Sequence, residues 1–221
     1  MTTGKEPGSL GARRQRILRT TIGLVATRGA DNVRLRDVAE ASGVSIGTLQ
    51  HYFTTRDALL QEAFRQHSDS VVADIAATVA ALDGSPWERA DALFHSIRDS
   101  PRLKQRSIVL LEWAAASTRD PLLRKLIAEV YAEWRAPLQQ AVEDGTARGL
   151  MRPRIPIDDL VPTVLALIDG FEMALAIGVQ GTDRLTIYRR LVMTTRVLLG
   201  MDDAGETPPE PSGPTPDEAG A

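Results

Sequence analysis

The run Ala41-Ser42-Gly43-Val44-Ser45 constrains this chain more than any other stretch of its sequence. The residues before it, Leu35 to Ala41, form a short helix that must stop at Gly43. A second short helix opens with Ser45 as its N-cap and runs to about Tyr52. Gly43 fits a turn position that needs a positive φ, and Val44 packs inward to hold the two helices together. Val38, Ala39, Val44, Leu49 and Phe53 supply a small shared core. A turn this tight between two short apolar-faced helices predicts a helix-turn-helix, whose second helix lies in the major groove of DNA with its N-terminal N–H groups near a phosphate.

The flanking sequence is helical throughout. Arg13 to Arg28 is amphipathic, with Ile17, Ile22, Leu24 and Val25 on one face and Gly29 as C-cap. Thr55 caps a long helix carrying Asp57 in its first turn, and Leu59, Leu60, Ala63 and Phe64 give that helix a packing face. Val71, Val72, Ile75 and Val79 extend it towards Leu82, before Gly84-Ser85-Pro86 breaks the pattern. Further helices are predicted over Trp87–Arg98, Leu103–Thr118, Pro121–Arg148, Ile157–Val179 and Arg184–Met201. Aromatics are only 5% of the chain, so the core is built from Leu, Val, Ile and Ala, a mixture that favours helices. No alternating strand pattern appears, and the predicted fold is all-α. It divides into a flexible arm over 1–12, a three-helix DNA-binding domain over 13–54 and a connecting helix over 55–82. A helical ligand-binding and dimerisation domain covers 83–201, and a disordered acidic tail covers 202–221.

The net charge of −3 argues at first against a nucleic-acid partner, but the distribution of charge argues for one. Arg13, Arg14, Arg16, Arg19, Arg28, Arg34, Arg36 and Arg56 crowd the first quarter of the chain. Asp202, Asp203, Glu206, Glu210, Asp217 and Glu218 carry the far end without a basic residue. A polyanion would meet one end only. With no cysteine, a disulfide framework, a thiolate zinc site and a cysteine nucleophile are excluded. His51, His67 and His95 lack metal-ligand spacing, and neither a phosphate loop nor a hydrolase elbow is present. An enzyme is therefore not expected, nor a cofactor or metal. The absence of a signal-type segment or of a run approaching the roughly 18 apolar residues of a membrane span predicts a cytoplasmic protein with no membrane partner.

The run from Arg36 to Phe53, followed by Arg56-Asp57-Ala58-Leu59-Leu60, resembles the tetracycline-repressor (TetR) family. The match rests on the Gly-Val-Ser-x-Gly-Thr core, the His51-Tyr52-Phe53 end and the basic-acidic-x-Leu-Leu start of the next helix, and covers Arg13 to Phe64. The later helices resemble, in number and length, the C-terminal domain of the choline-repressor branch. By this resemblance Arg36, Ile46, Gly47 and Thr48 approach base edges, with Arg36 able to give guanine a bidentate contact. Ser45, Gln50, His51, Tyr52 and Arg56 take phosphate-contacting positions. Gln50 replaces the commonest aromatic there. Arg34 stands where a Ser or Thr N-cap is usual, which weakens the cap but adds a cation beside the DNA backbone.

The resemblance also implies a homodimer on a palindromic double-stranded operator, and release by a small-molecule effector. Ile157–Val179 and Arg184–Met201 would form the dimer interface, with Leu165, Ile168, Leu191, Val192, Val197 and Leu198 packing across it, Gly170 allowing close approach and Asp169 in a structural role. The effector site is expected between the middle helices, lined by Phe94, Leu111, Glu112, Trp113, Tyr131, Trp134, Phe171 and Glu172. Acidic groups inside apolar helices are costly unless paired. Two readings of Glu112 and Glu172 stand: a carboxylate and tryptophan faces holding a cationic effector, or carboxylates paired with arginines or turned to solvent at a helix edge. A DNA-binding protein with no effector is the alternative to the regulatory reading as a whole.

Overall fold

The computed structural model describes residues 7–80 and 84–201, and among these all regular structure is helical. Helix α1 spans Pro7–Arg28, α2 Leu35–Ala41, α3 Ile46–Tyr52 and α4 Arg56–Ala80. Helices α5 (Pro86–Arg98), α6 (Leu103–Ser117), α7 (Pro121–Ala147), α8 (Ile157–Ala176) and α9 (Arg184–Leu198) complete the order. Helix α1 starts earlier than expected, so residues 7–12 extend it and do not form an arm. Pro7 at its start is compatible with that, because the first turn needs no N–H from it. The remainder of the expected arm, the end of the connecting helix at Leu82 and the acidic tail lie outside the described residues. Helices α8 and α9 end at Ala176 and Leu198, short of Val179 and Met201.

One element has no counterpart in the sequence pattern. A single 3₁₀ turn, Ala30–Asn32, joins α1 to α2, and Gly29 enters it at φ +78°. That backbone geometry is open to glycine at little cost.

Two apolar clusters hold the molecule together. The first gathers Ile17, Leu18, Val25, Val38, Leu49, Phe53, Leu59 and Phe64, and it also takes in Val109 and Trp113 of α6. The N-terminal helices therefore share one core with α6, and Trp113 also stacks on Phe64 of α4 with ring centroids 4.8 Å apart. The second cluster joins α5, α7, α8 and α9 through Phe94, Ile97, Leu138, Val142, Leu160, Val164, Ile187 and Leu191. Polar ties run between the layers. Arg65 of α4 reaches Glu133 of α7 at 2.7 Å, and Arg89 of α5 pairs with Asp144 of α7.

Candidate DNA interface and effector cavity

The helix-turn-helix forms for the reasons its residues supply. Gly43 takes φ +65°, and the Ser45 hydroxyl caps α3 by accepting from the Thr48 N–H at 3.1 Å. The Thr48 hydroxyl lies 2.9 Å from the same oxygen. Leu49 and Phe53 are buried, which fixes the inner face of α3 and leaves Ile46, Gly47, Gln50 and His51 exposed. Ile46 keeps 43% of its surface exposed, a large apolar side chain at the outward start of a helix. Tyr52 is half-buried, its ring edge-on to His51 at 5.8 Å.

Helix α2 starts without a side-chain cap from Arg34, whose guanidinium has no acceptor to offer. Asp37 supplies the other half of the usual arrangement, its carboxylate accepting the Arg34 backbone N–H at 3.1 Å. The side chains of Arg34 and Arg36 are exposed and meet no acidic partner within ion-pair distance among the described residues. Arg14 is committed elsewhere, paired with Glu62 and lying 5.7 Å over the Phe53 ring.

Arg56 departs from the expected phosphate role. Its Nε donates to the Val33 carbonyl at 2.7 Å, Nη2 donates to the Ala30 carbonyl, and Nη1 reaches Asp57 at 3.2 Å. A guanidinium at the carbonyl end of a helical turn satisfies orphan acceptors. Arg56 thus closes the Ala30–Asn32 turn onto α4.

The C-terminal helices α5, α6, α7 and α8, together with α4, frame a narrow open cleft. Its apolar wall includes Val71, Ile75, Leu138, Leu165 and Ile168. Its polar groups are Arg106, Tyr131, Trp134, Asp169 and Glu172. Arg106 donates to Glu172 Oε1, and the Ser107 hydroxyl donates to Oε2 at 3.1 Å. Tyr131 donates to Asp169 at 2.7 Å. Burial pushes the Asp169 carboxyl above its usual range, and the Glu172 charge adds to that effect while the Tyr131 hydrogen bond opposes it. Burial pushes the Tyr131 phenol up in turn, with Asp169 reinforcing the shift. The Trp134 ring lies 5.9 Å from Tyr131, and its Nε1 is buried without a partner among the described residues.

Three of the expected lining residues, Tyr131, Trp134 and Glu172, meet at this cleft. The other five are elsewhere. Phe94 and Trp113 are buried in the two cores, and Leu111 is absent from the lining. Phe171 packs at the cluster edge beneath Arg190. Glu112 reaches the head, where Oε2 accepts the Ala30 backbone N–H at 2.7 Å. Of the two readings for Glu172, the structure has the arginine-paired one. Asp169, Leu165 and Ile168, expected at a dimer face, line the cleft, and Leu191 is fully buried within its own chain. The apolar side chains that α8, α9 and their junction expose are Met173, Ile177, Val179, Leu185, Met193 and Val197.

Arg106 was not among the expected site residues, although the sequence carries a signal for it. It shares a buried helical stripe with Leu103 and Leu110, and a cation on such a stripe needs a partner carboxylate. Among the described residues no group of three or more His, Asp or Glu could hold a metal, and no helix is long and apolar enough to cross a membrane.

Comparison with known proteins agrees with this geometry. Residues 17–63 match the family model of bacterial regulatory proteins of the tetR family, and residues 86–195 match the C-terminal model of BetI-type transcriptional repressors. The transcriptional repressor KstR2 of Rhodococcus jostii is 29% identical over 157 residues, 66% of this chain and 71% of that protein. The regulator BetI 2 of Chromohalobacter salexigens is 26% identical over 190 residues, covering 81% of this chain and 83% of its own. Among solved structures, a transcriptional regulator from Saccharomonospora viridis in complex with choline superposes with a TM-score of 0.75 at 27% identity. That superposition covers 82% of this chain and 94% of the other.

Proposed function

Because this chain belongs to the TetR family of DNA-binding transcriptional regulators, we propose that it is a repressor that binds a palindromic operator as a homodimer and is released by a small organic cation. The cleft carries the reading. It is walled on one side by Val71 and Ile75 of α4, the helix that begins directly behind the head. A ligand that prefers one position of α4 shifts the head by its differential affinity for the two states.

The chemistry of the cleft favours a cation. Arg106 and Glu172 offset each other, so Asp169 leaves the polar group one negative charge in excess. Burial and the neighbouring carboxylate both penalise that charge, and an arriving cation would relieve both penalties. Tyr131 and Trp134 offer ring faces of the kind that hold alkylammonium groups. The likeness to a regulator crystallised with choline supports the same class.

At the DNA, Arg36, Ile46, Gly47 and Thr48 would read bases, with Ile46 suited to a thymine methyl group. Arg34, Ser45, Gln50, His51 and Tyr52 would set the helix on phosphates. The exposed apolar residues Met173, Ile177, Leu185, Met193 and Val197 would pair the two protomers through α8 and α9. Mobility shift of a selected operator in the presence of choline and of its neutral carbon analogue tests the effector class. Release by the cation alone is expected; equal release by the neutral analogue would remove the cationic reading.

A further inference from the structure

We propose that Glu112 is a positioning residue that fixes the DNA-binding head to α6 through the backbone of the Ala30–Asn32 turn. That turn is gripped at both ends by opposite charges. The Glu112 carboxylate accepts the Ala30 N–H at 2.7 Å, and the Arg56 guanidinium donates to the Ala30 and Val33 carbonyls. A carboxylate at the N–H end and a cation at the carbonyl end complement the turn's dipole: the Glu112 carboxylate takes the Ala30 N–H, and Arg56 gives the Ala30 carbonyl a second donor beside the Val33 N–H and takes up the Val33 carbonyl. The turn leads directly into Arg34, Arg36 and α2, so its placement sets where those arginines and α3 point.

The surroundings give this polar contact a distinct part in orientation. Helix α1 packs on α6 through the apolar cluster that joins Ile17, Val25 and Val109, and Trp113 stacks on Phe64 of α4; these apolar contacts are less directional than a hydrogen bond. Beside both lies an open cleft of about 680 Å³ bounded by Ala30, Asp31, Arg56, Asp57, Arg119 and Asp120. The charge-assisted hydrogen bond, being directional, supplies the register that stacking lacks. Gly29 enters the turn at φ +78°, a conformation that side-chain-bearing residues rarely adopt, beside the Glu112 carboxylate. Helix α6 also carries Arg106 and Ser107, which hold Glu172 in the effector cleft about 9 Å further back along the helix axis. A displacement of α6 at the cleft therefore reaches the Ala30–Asn32 turn through Glu112, beside the apolar packing of α1 on α6.

The test uses the full chain and needs neither operator nor effector, so it stands apart from the proposed function. The chain has no cysteine, and Glu40→Cys with Ala147→Cys, both exposed, places unique spin labels on the head and on α7. Labelled chains are diluted into unlabelled protein, and the head-to-α7 distance distribution is measured together with hydrogen exchange at the Ala30 amide. In the Glu112→Ala variant the distribution should broaden and the Ala30 amide should exchange at least about tenfold faster. Glu112→Gln, which keeps a carbonyl acceptor, should restore most of both. An unchanged distribution and unchanged exchange in Glu112→Ala overturn the proposal, as does failure of Glu112→Gln to differ from Glu112→Ala. If Glu112→Ala does not fold, the wild-type protein decides it: an Ala30 amide exchanging as fast as an open turn contradicts the latch.

Discussion

Arg106 and Glu172 face one another across the seam between α6 and α8, with side chains only 13% and 5% exposed, and Ser107 closes the second carboxylate oxygen. Two charges this far from water are stable only as a pair. Removing one partner leaves the other buried and uncompensated, which is why the pair welds α6 to α8 at the floor of the cleft.

The first prediction follows from that pairing. Glu172→Ala should cost about 3–5 kcal/mol of unfolding free energy, read from urea denaturation. Glu172→Gln keeps one acceptor oxygen for Arg106 and turns its amide N–H towards the Ser107 hydroxyl, so it should cost clearly less than the truncation. Equal losses in the two variants would mean that the charge on Glu172, and not its hydrogen bonding, is what holds the seam; a loss below about 1 kcal/mol in Glu172→Ala would contradict the pairing.

Two arginines of the head should behave oppositely. Arg36→Ala removes an exposed cation at the expected base-reading position, and should weaken operator binding by about 1–3 kcal/mol while relaxing sequence preference. Arg56→Ala removes the clamp on the Ala30 and Val33 carbonyls, and should lower the melting temperature while leaving the salt slope of DNA binding unchanged. A salt slope reduced by about one would return Arg56 to a phosphate contact.

His67 should give the protein a measurable pH dependence. Burial lowers its pKa from 6.5, and the Arg106 cation lowers it further. Below pH 6.5 the unfolded chain takes up a proton that folded His67 resists. Its contribution to stability is therefore full above that pH and is lost as pH falls towards the depressed folded value. The stability difference between wild type and His67→Gln should grow with rising pH over about pH 5–7, while His51 and His95 cancel in the comparison. A flat difference would show that His67 titrates as it does in the unfolded chain.

The cap of the recognition helix can be tested in the same way. Ser45→Ala removes the acceptor for the Thr48 N–H and should cost about 1 kcal/mol of stability, with a larger loss of operator affinity as the first turn of α3 frays. Circular dichroism melts and operator titration on the same samples separate the two effects.

Much of the head was legible because its signals are local. Gly43, Ser45, Leu49 and Phe53 each do what their chemistry and spacing demand, and the bounds of α2 and α3 follow from them. The cleft was half legible. Tyr131, Trp134 and Glu172 announce themselves as polar or aromatic groups on apolar stripes, but Phe94 carries the same signature and is plain core, and Trp113 lines the other cleft, beside Ala30 and Arg56. Periodicity places a residue on a buried face without saying which neighbour the face meets. For that reason Asp169 and Leu191 look alike as dimer-face residues in the sequence, although one lines the cleft and the other lies within its own subunit. The roles of Arg56 and Glu112 escape the sequence for a related reason. Both bind backbone groups of a 3₁₀ turn that leaves no mark in the hydrophobic pattern, one of them from 82 positions away in sequence.

Selection of binding sites from random duplex DNA bears most directly on the regulator reading and on the role of Arg36. Enrichment of a two-fold symmetric sequence is expected, with half-sites about 10–10.5 base pairs apart or a multiple of that, and with preference at the guanine-facing position relaxed in Arg36→Ala. Enrichment of no palindrome, or recovery of the same palindrome with undiminished affinity by Arg36→Ala, would contradict it.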